Sequence, residues 1–421
     1  MPRPAAPRVL WIPVAAAVLV QAILLATVTP EIAVDSASYL AQAESLAASG
    51  SARNALGEPD TVRTPGYPLY LAAFLFAHAG VDGAIVGQRV LWILVVAAST
   101  WICFRLTASA TAAVVTGLIV ALDLPALQGT SSVLTETLAT VLVGAAVWQA
   151  YRVDGVSAAI AAGILAAFTA LVRPVAILLA VPLALAIAIA GTRAYRLRAA
   201  IIIVVTSLAI TSAWIARNYL QTGVATFSSI SSVNLLMFRA AGTLAIRDPG
   251  GIDVNIQRRQ AELENAACRA AEARFGRLCA AVPMTDRASL YGELAWPILI
   301  ADPVAVAMQA GRAAVMIMFG GGANLLSRAS GMSESAARLL ALGYTLPLAG
   351  LAALGIAYWR RIDRLAAWLM VLTILYLVVM ALGAEAYSRF RVPFLPLYAM
   401  LAGGGAAALA ERWTRRTPLT H

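Results

Sequence analysis

The chain has 421 residues, 61% of them hydrophobic and 12% charged, with a formal net charge of +10 and a mean hydropathy of +0.80. A soluble protein of this size has no interior that hides so much apolar surface, and repeated apolar runs of about 20 residues require a polytopic helical membrane protein. All 31 basic residues are arginine, many of them in short connections between apolar runs, so the charge reads as membrane topology and not as a nucleic-acid footprint.

In chain order, the apolar runs predict ten spans, at roughly 9–29, 84–106, 111–128, 132–151, 155–172, 174–191, 199–218, 339–358, 365–383 and 392–410. Residues 9–29 are too long for a cleavable signal and lack a small-residue cleavage site, so they read as the first span. With Arg3 and Arg8 inside, the short loops carrying Arg105, Arg152, Arg193, Arg196, Arg198, Arg360, Arg361 and Arg364 all fall in the cytoplasm. The tail with Arg412, Arg415 and Arg416 joins them there, as the positive-inside rule requires. Three portions follow: 1–218 with a first outer loop at 30–83, an outer capping subdomain at 219–337, and C-terminal spans with a basic tail at 338–421. Residues 67–79 are too short to span. Counting 303–320 as a span would place Gln309 and Arg312 at mid-membrane, which costs at least a few kcal/mol. Both segments therefore read as helices on the outer membrane surface.

The first outer loop holds the most informative residues. Asp35 heads the segment SASYLAQAESLAAS, which stops at Gly50. A helix N-cap accounts for Asp35, and a carboxylate at a helix start also faces a cleft without conflict. Tyr39, Ala43 and Leu46 share one face, which predicts that this helix lies on the membrane. Arg63-Thr64-Pro65-Gly66-Tyr67-Pro68 is a stiff turn leading back toward the bilayer. It reads as a solvated loop arginine, or as a guanidinium held at headgroup level, where it pairs bidentately with phosphate.

Further along come Asp123, Glu136, Arg173 before Pro174, Arg217-Asn218, and the run Glu385-Ala-Tyr387-Ser-Arg389-Phe-Arg391-Val-Pro393. In the ten-span topology all lie at one face of the bilayer. Singly, each reads as a snorkelling interfacial charge; together they form a candidate site. In the second outer loop, Cys268 and Cys279 would lie about 16 Å apart on one straight helix. That exceeds disulfide reach, so a bridge requires a break near Gly276. The only histidines are His78 and His421, which argues against a zinc site with His ligands; a carboxylate-bound Mg²⁺ or Mn²⁺ is compatible with the residues. There is no Gly-rich phosphate loop, no Ser-His-Asp set and no cytosolic nucleotide domain, which argues against direct use of a sugar nucleotide and against ATP-driven transport.

The Asp after the first span, the Arg63-x-Pro65-to-Pro68 turn, Thr135-Glu136, LVRPVAILL (171–179), AWIARNYLQTG (213–223) and EAYSRFRVPFLP (385–396) together resemble the polytopic glycosyltransferases of the C fold (GT-C). The branch with protein O-mannosyltransferases, the lipid A aminoarabinose transferase and rhizobial galacturonosyltransferases is the most similar. The resemblance implies an all-α bundle with juxtamembrane helices on the outer face of a bacterial cytoplasmic membrane. It implies an inverting transfer from a polyprenyl-phosphate sugar to a hydroxyl of a lipid, glycan or protein. Asp35 would be the base or would position the acceptor; Arg63, Arg217, Arg389 and Arg173 would hold the lipid phosphate. Glu136, Glu385, Tyr39 and Tyr67 are candidates for acceptor contacts or a second carboxylate, and an apolar groove between surface helices and spans would take the lipid tail. Many relatives carry Asp-Glu where this chain has Asp35-Ser36, and the aminoarabinose enzyme has a larger C-terminal outer domain. The competing class is a transporter or lipid flippase, which calls for symmetric halves and polar or broken helices at mid-membrane; a non-catalytic membrane scaffold is the third reading.

Overall fold

The computed structural model describes residues 7–32, 35–190, 195–383 and 387–416, and these residues are helical almost throughout. The first part runs α1 (Trp11–Thr27), α2 (Ser36–Ser49), α3 (Gly66–Phe76), α4 (Gly80–Thr107), α5 (Ala110–Leu122), α6 (Leu124–Ser131), α7 (Glu136–Tyr151), α8 (Val156–Val172), α9 (Ala180–Ala190) and α10 (Arg196–Thr222). A second part follows: α11 (Ile230–Asn234), a π-helical turn Leu235–Ala240, α12 (Ala241–Ala245), α13 (Ile252–Phe275), α14 (Met284–Ala301), α15 (Pro303–Phe319) and α16 (Ala323–Ser330). α17 (Glu334–Ile362), α18 (Arg364–Met380), a 3₁₀ stretch Ser388–Phe394 and α19 (Leu395–Arg416) complete the chain.

This is a multi-pass membrane protein, but the spans differ from the ten predicted. Among the described residues, five stretches are long and apolar enough to cross unaided: Arg8–Thr27, α4, α10, α17 and Ser388–Thr414. Counting each of the bent pairs α5–α6 (51°) and α14–α15 (101°) as one broken span brings the number to at most seven. The predicted span 111–128 is broken at Asp123, whose carboxylate accepts from the Ala126 amide and caps α6. The predicted span 174–191 opens as a 3₁₀ turn at Pro174, leaving an 11-residue α9. The predicted spans 132–151, 155–172 and 365–383 form helices of 16, 17 and 17 residues. The shorter helices pack among the longer ones: α8 against α7 and α10, α9 against α10 and α18.

Without a hydrophobic force between helices in lipid, close backbone approach through small residues supplies the packing. α19 lies against α17 and α5 in this way. A Cβ at Gly355 would sit 1.7 Å from the Leu401 carbonyl oxygen, and one at Gly405 2.0 Å from that of Leu351. The buried Trp359 indole donates to the Met400 carbonyl beside this crossing.

Three expectations for the loops are corrected or sharpened. The Tyr39–Ala43 face of α2 does not lie on lipid; it is buried against Tyr67, Leu71 and Ala72 of α3. Segment 303–320 is a helix, but its polar residues face protein: Gln309 is buried, and Arg312 pairs with Asp253 of α13 at 2.7 Å. Cys268 and Cys279 are bridged, because α13 ends at Gly276 in the left-handed region and the chain turns back, bringing the two Cα atoms within 5.0 Å.

Gly355→Val should cost at least about 1–3 kcal/mol, since the neighbour is backbone and has no rotamer to yield; a thermal melt of the purified protein reads this as a clear loss of stability.

Candidate functional site

Asp35, at the head of α2, occupies the N-cap position but makes no side-chain cap. Its carboxylate turns to Arg63 Nη2 at 2.8 Å and to Arg389 Nη2 at 3.5 Å. The Arg63 guanidinium is fixed on every side. Its Nε donates to Ser38 Oγ at 2.8 Å, its Nη1 to Tyr39 Oη at 3.2 Å, and it stacks 4.5 Å over the Tyr39 ring. Two elements place it. Asp60 Oδ1 accepts from the amides of Val62 and Arg63, and the Pro-Gly-Tyr-Pro turn opens α3 against the end of α8. Gly66 is required at that contact: a Cβ there would lie 2.7 Å from the Leu171 carbonyl oxygen.

A second ion pair adjoins the first. Glu136, the first residue of α7, binds Arg173 at 2.9 Å, and Arg173 also donates to Thr135 Oγ1 at 3.0 Å. Arg389 lies between the two carboxylates, 4.0 Å from Glu136, with its guanidinium 5.4 Å from the Phe390 ring; the Arg173 guanidinium is 5.2 Å from the same ring. The result is three arginines and two carboxylates from five separate segments. Within it Asp35 is the most open group, its side chain 37% exposed against 3% for Glu136. Burial raises the Asp35 carboxyl, but Arg63 and then Arg389 outweigh it and hold the group below its ordinary value. Burial pushes the Tyr39 hydroxyl up, so it stays protonated.

Other predicted residues have different positions. Tyr67 is fully buried, donates to Gln88 Oε1 and backs the Tyr39 ring edge-on at 5.2 Å. Arg217 does not reach the cluster: its guanidinium donates to the carbonyls of Ala52 and Asp60 and to Asn218 Oδ1. Glu385 lies outside the described residues.

One pair that the sequence did not join supports the cluster from below. Asp123 and Arg391 form an ion pair with both side chains fully buried. Arg391 also donates to the Met318 carbonyl. This ties the 3₁₀ stretch carrying Arg389 to the α5–α6 kink. The kink had a local signal in Asp123-Leu124-Pro125, a cap followed by a helix-opening proline.

A cavity of about 330 Å³ opens among α4, α7, α18 and α19, lined by apolar residues including Leu94, Gly144, Trp148, Leu369 and Met400. On α7 its lining follows the stripe Thr140, Gly144, Trp148, which continues from Glu136 at the helical i+4 spacing. The cavity therefore begins one turn from the charged cluster and lies among α4, α7, α18 and α19. Among the described residues no three His, Cys, Asp or Glu side chains converge, and Asp35 and Glu136 already face guanidinium groups.

No family model matches the chain, and no curated protein matches it in sequence. Solved structures do match. The archaeal oligosaccharyltransferase AglB from Archaeoglobus fulgidus, in complex with an inhibitory peptide and a dolichol-phosphate, aligns with TM-score 0.52 and 12% identity over 98% of this chain. A second Archaeoglobus fulgidus oligosaccharyltransferase structure, a complex with Zn and sulfate, gives TM-score 0.55 and 12% identity over 97%. This chain has the GT-C fold. It spans about half the length of those archaeal chains, 52% and 50%. ArnT from Cupriavidus metallidurans bound to undecaprenyl phosphate aligns more loosely, with TM-score 0.42 and 15% identity over 99% of this chain and 82% of its own.

Two outcomes test this geometry. Because the native Asp35 carboxyl is depressed, its pairing stabilises the fold above the ordinary aspartate value and is lost as pH falls through the native value. The melting-temperature gap between wild type and Asp35→Asn should thus shrink as pH falls below about 3.9. Asp123→Ala leaves Arg391 buried and unpaired and should cost about 3–5 kcal/mol, whereas Asp123→Leu with Arg391→Met should recover much of it; melts of the single and double variants compare the two.

Proposed function

We propose that this chain is an inverting glycosyltransferase that moves a sugar from a polyprenyl-phosphate carrier to an acceptor hydroxyl. The observation that carries the reading is one arrangement. A reachable carboxylate, Asp35, pairs with Arg63 and Arg389, and Arg389 links it to the Glu136–Arg173 pair, which stands one helical turn from an apolar cavity. The fold supports it, since a protein of this fold has been solved with a dolichol-phosphate.

Each group then has a role. The isoprenoid chain lies in the cavity along the Thr140–Gly144–Trp148 stripe. The phosphate enters at the Glu136 end and draws on Arg389, Arg173 and Arg63, whose planar guanidinia suit phosphate oxygens. Asp35 takes the proton from the acceptor hydroxyl as its oxygen attacks the anomeric carbon from the face opposite the phosphate. The bond from the anomeric carbon to the phosphate oxygen breaks in the same displacement, so the configuration inverts. The lipid phosphate leaves with added negative charge, which the arginines stabilise. Residues 219–337 cap the site, Tyr39 contacts the acceptor, and the cluster faces the outer side of the bacterial cytoplasmic membrane. The Cys268–Cys279 bridge favours that side, where disulfides persist.

The binding test uses undecaprenyl phosphate with purified protein. At about 100 times its dissociation constant, a ligand of the folded state adds about 2.7 kcal/mol of stability. Wild type should be stabilised and Arg63→Ala clearly less so, while Asp35→Asn should keep its fold and lose sugar transfer. No stabilisation at saturating lipid would return the transporter or flippase reading to the front, and wild-type transfer by Asp35→Asn would remove Asp35 from the role of base.

A further inference from the structure

The segment before Arg63 is sewn to the chain after α10 by a buried polar seam. Arg217 Nη1 donates to the Asp60 carbonyl at 2.9 Å and its Nη2 to the Ala52 carbonyl at 2.8 Å. The guanidinium stacks 4.7 Å over the Trp214 ring, and the Trp214 indole in turn donates to the Phe227 carbonyl. The Ser229 amide donates to the Thr61 carbonyl, the Thr61 and Ser229 hydroxyls meet at 2.9 Å, and Ser228 Oγ donates to the Val62 carbonyl at 2.6 Å. Asp60, Thr61, Asn218, Ser228 and Ser229 are all buried. Buried polar groups bonded this completely permit one arrangement, because any shift leaves carbonyls or hydroxyls unsatisfied.

The end of the seam is Arg63 itself. Asp60, held by Arg217 through its carbonyl, uses its carboxylate to grip the Val62 and Arg63 amides. We infer that Arg217 is a positioning residue: through Asp60 it sets the backbone at Arg63, and it does not bind phosphate itself. The inference rests on the reading of Arg63 as a lipid-phosphate ligand. It gives the seam a second consequence. The chain entering residues 224–229 and the arginine that would hold the donor move as one body, so displacement of the region after α10 is transmitted to the donor site.

The experiment measures two things on full-length protein with Arg217→Gln, Arg217→Lys, Arg63→Ala and the double variant Arg63→Ala/Arg217→Gln. The first is amide hydrogen exchange at residues 52–63 without ligand. The second is the apparent Kd for undecaprenyl phosphate. Arg217→Gln should speed exchange at Val62 and Arg63 and weaken lipid binding about tenfold, the loss expected for one charged hydrogen-bond anchor. The double variant should bind no more weakly than Arg63→Ala alone, because Arg217 acts through Arg63; a general loss of structure would multiply the two effects. Arg217→Lys, which keeps the charge but not the two-carbonyl fork, tests the same point if the Gln variant folds poorly, and should lie between wild type and Gln. Unchanged exchange and binding in both Arg217 variants, or multiplying losses in the double variant, overturn the inference. Faster exchange in Arg217→Gln with no lipid binding even by wild type would keep the mechanical link and remove the phosphate reading.

Discussion

The arrangement depends first on Arg391 and Asp123. A guanidinium fully enclosed by helices needs an anion beside it, and Asp123 is the carboxylate that reaches it. Meeting that need has geometric results. The α5–α6 pair must kink where Asp123 leaves the helix, and the 3₁₀ stretch Ser388–Phe394 must approach that kink. Thr140 of α7 adds a hydrogen bond to the Val392 carbonyl. The stretch is thus pinned at Arg391 and at Val392, and Arg389, two residues before, projects between Asp35 and Glu136. The buried pair adds little net stability of its own, since burial of charges offsets their attraction. Its effect is to allow one placement of the segment.

The charged cluster above it is a balance of charges. Arg63, Arg173 and Arg389 face Asp35 and Glu136, which leaves one positive charge among the five groups. A sugar phosphodiester carries one negative charge. In the proposed reaction the donor completes the balance, and the leaving lipid phosphate exceeds it as charge develops, where fixed guanidinia act most strongly. Arg389 reaches both carboxylates, Asp35 at 3.5 Å and Glu136 at 4.0 Å, so in the proposed reaction a phosphate arriving between them would meet it.

Much of this was legible in the sequence because the chemistry is local. Arg63 stands out by the stiff turn that follows it, Glu136 and Arg173 by being charged at the ends of apolar runs, Asp35 by heading a helix. Partners were not legible, since contacts such as Asp123 to Arg391 join residues far apart in sequence. Arg217 shows the limit most clearly: an arginine beside a span end has the same sequence signature whether its donors meet phosphate or two backbone carbonyls. The stripe on α2 is similar. Periodicity identified an apolar face, but not that α3 would cover it in place of lipid. Span lengths failed where single residues act on the backbone, with Pro174 starting a 3₁₀ turn and Asp123 capping a new helix inside an otherwise continuous apolar run.

The two carboxylates also differ in what can reach them, and the difference would give the proposed reaction a direction. Glu136 is enclosed and crowns the apolar stripe of α7, so only a group anchored in the cavity arrives on that side. Asp35 is open to solvent, so a polar hydroxyl arrives there without crossing lipid. Arg389 lies between the two. A sugar held at Arg389 by its phosphate would present the far side of its anomeric carbon toward Asp35, with carrier and acceptor on opposite flanks. In the proposed reaction that separation would suit a single displacement, and it would follow from where burial leaves one carboxylate more exposed than the other.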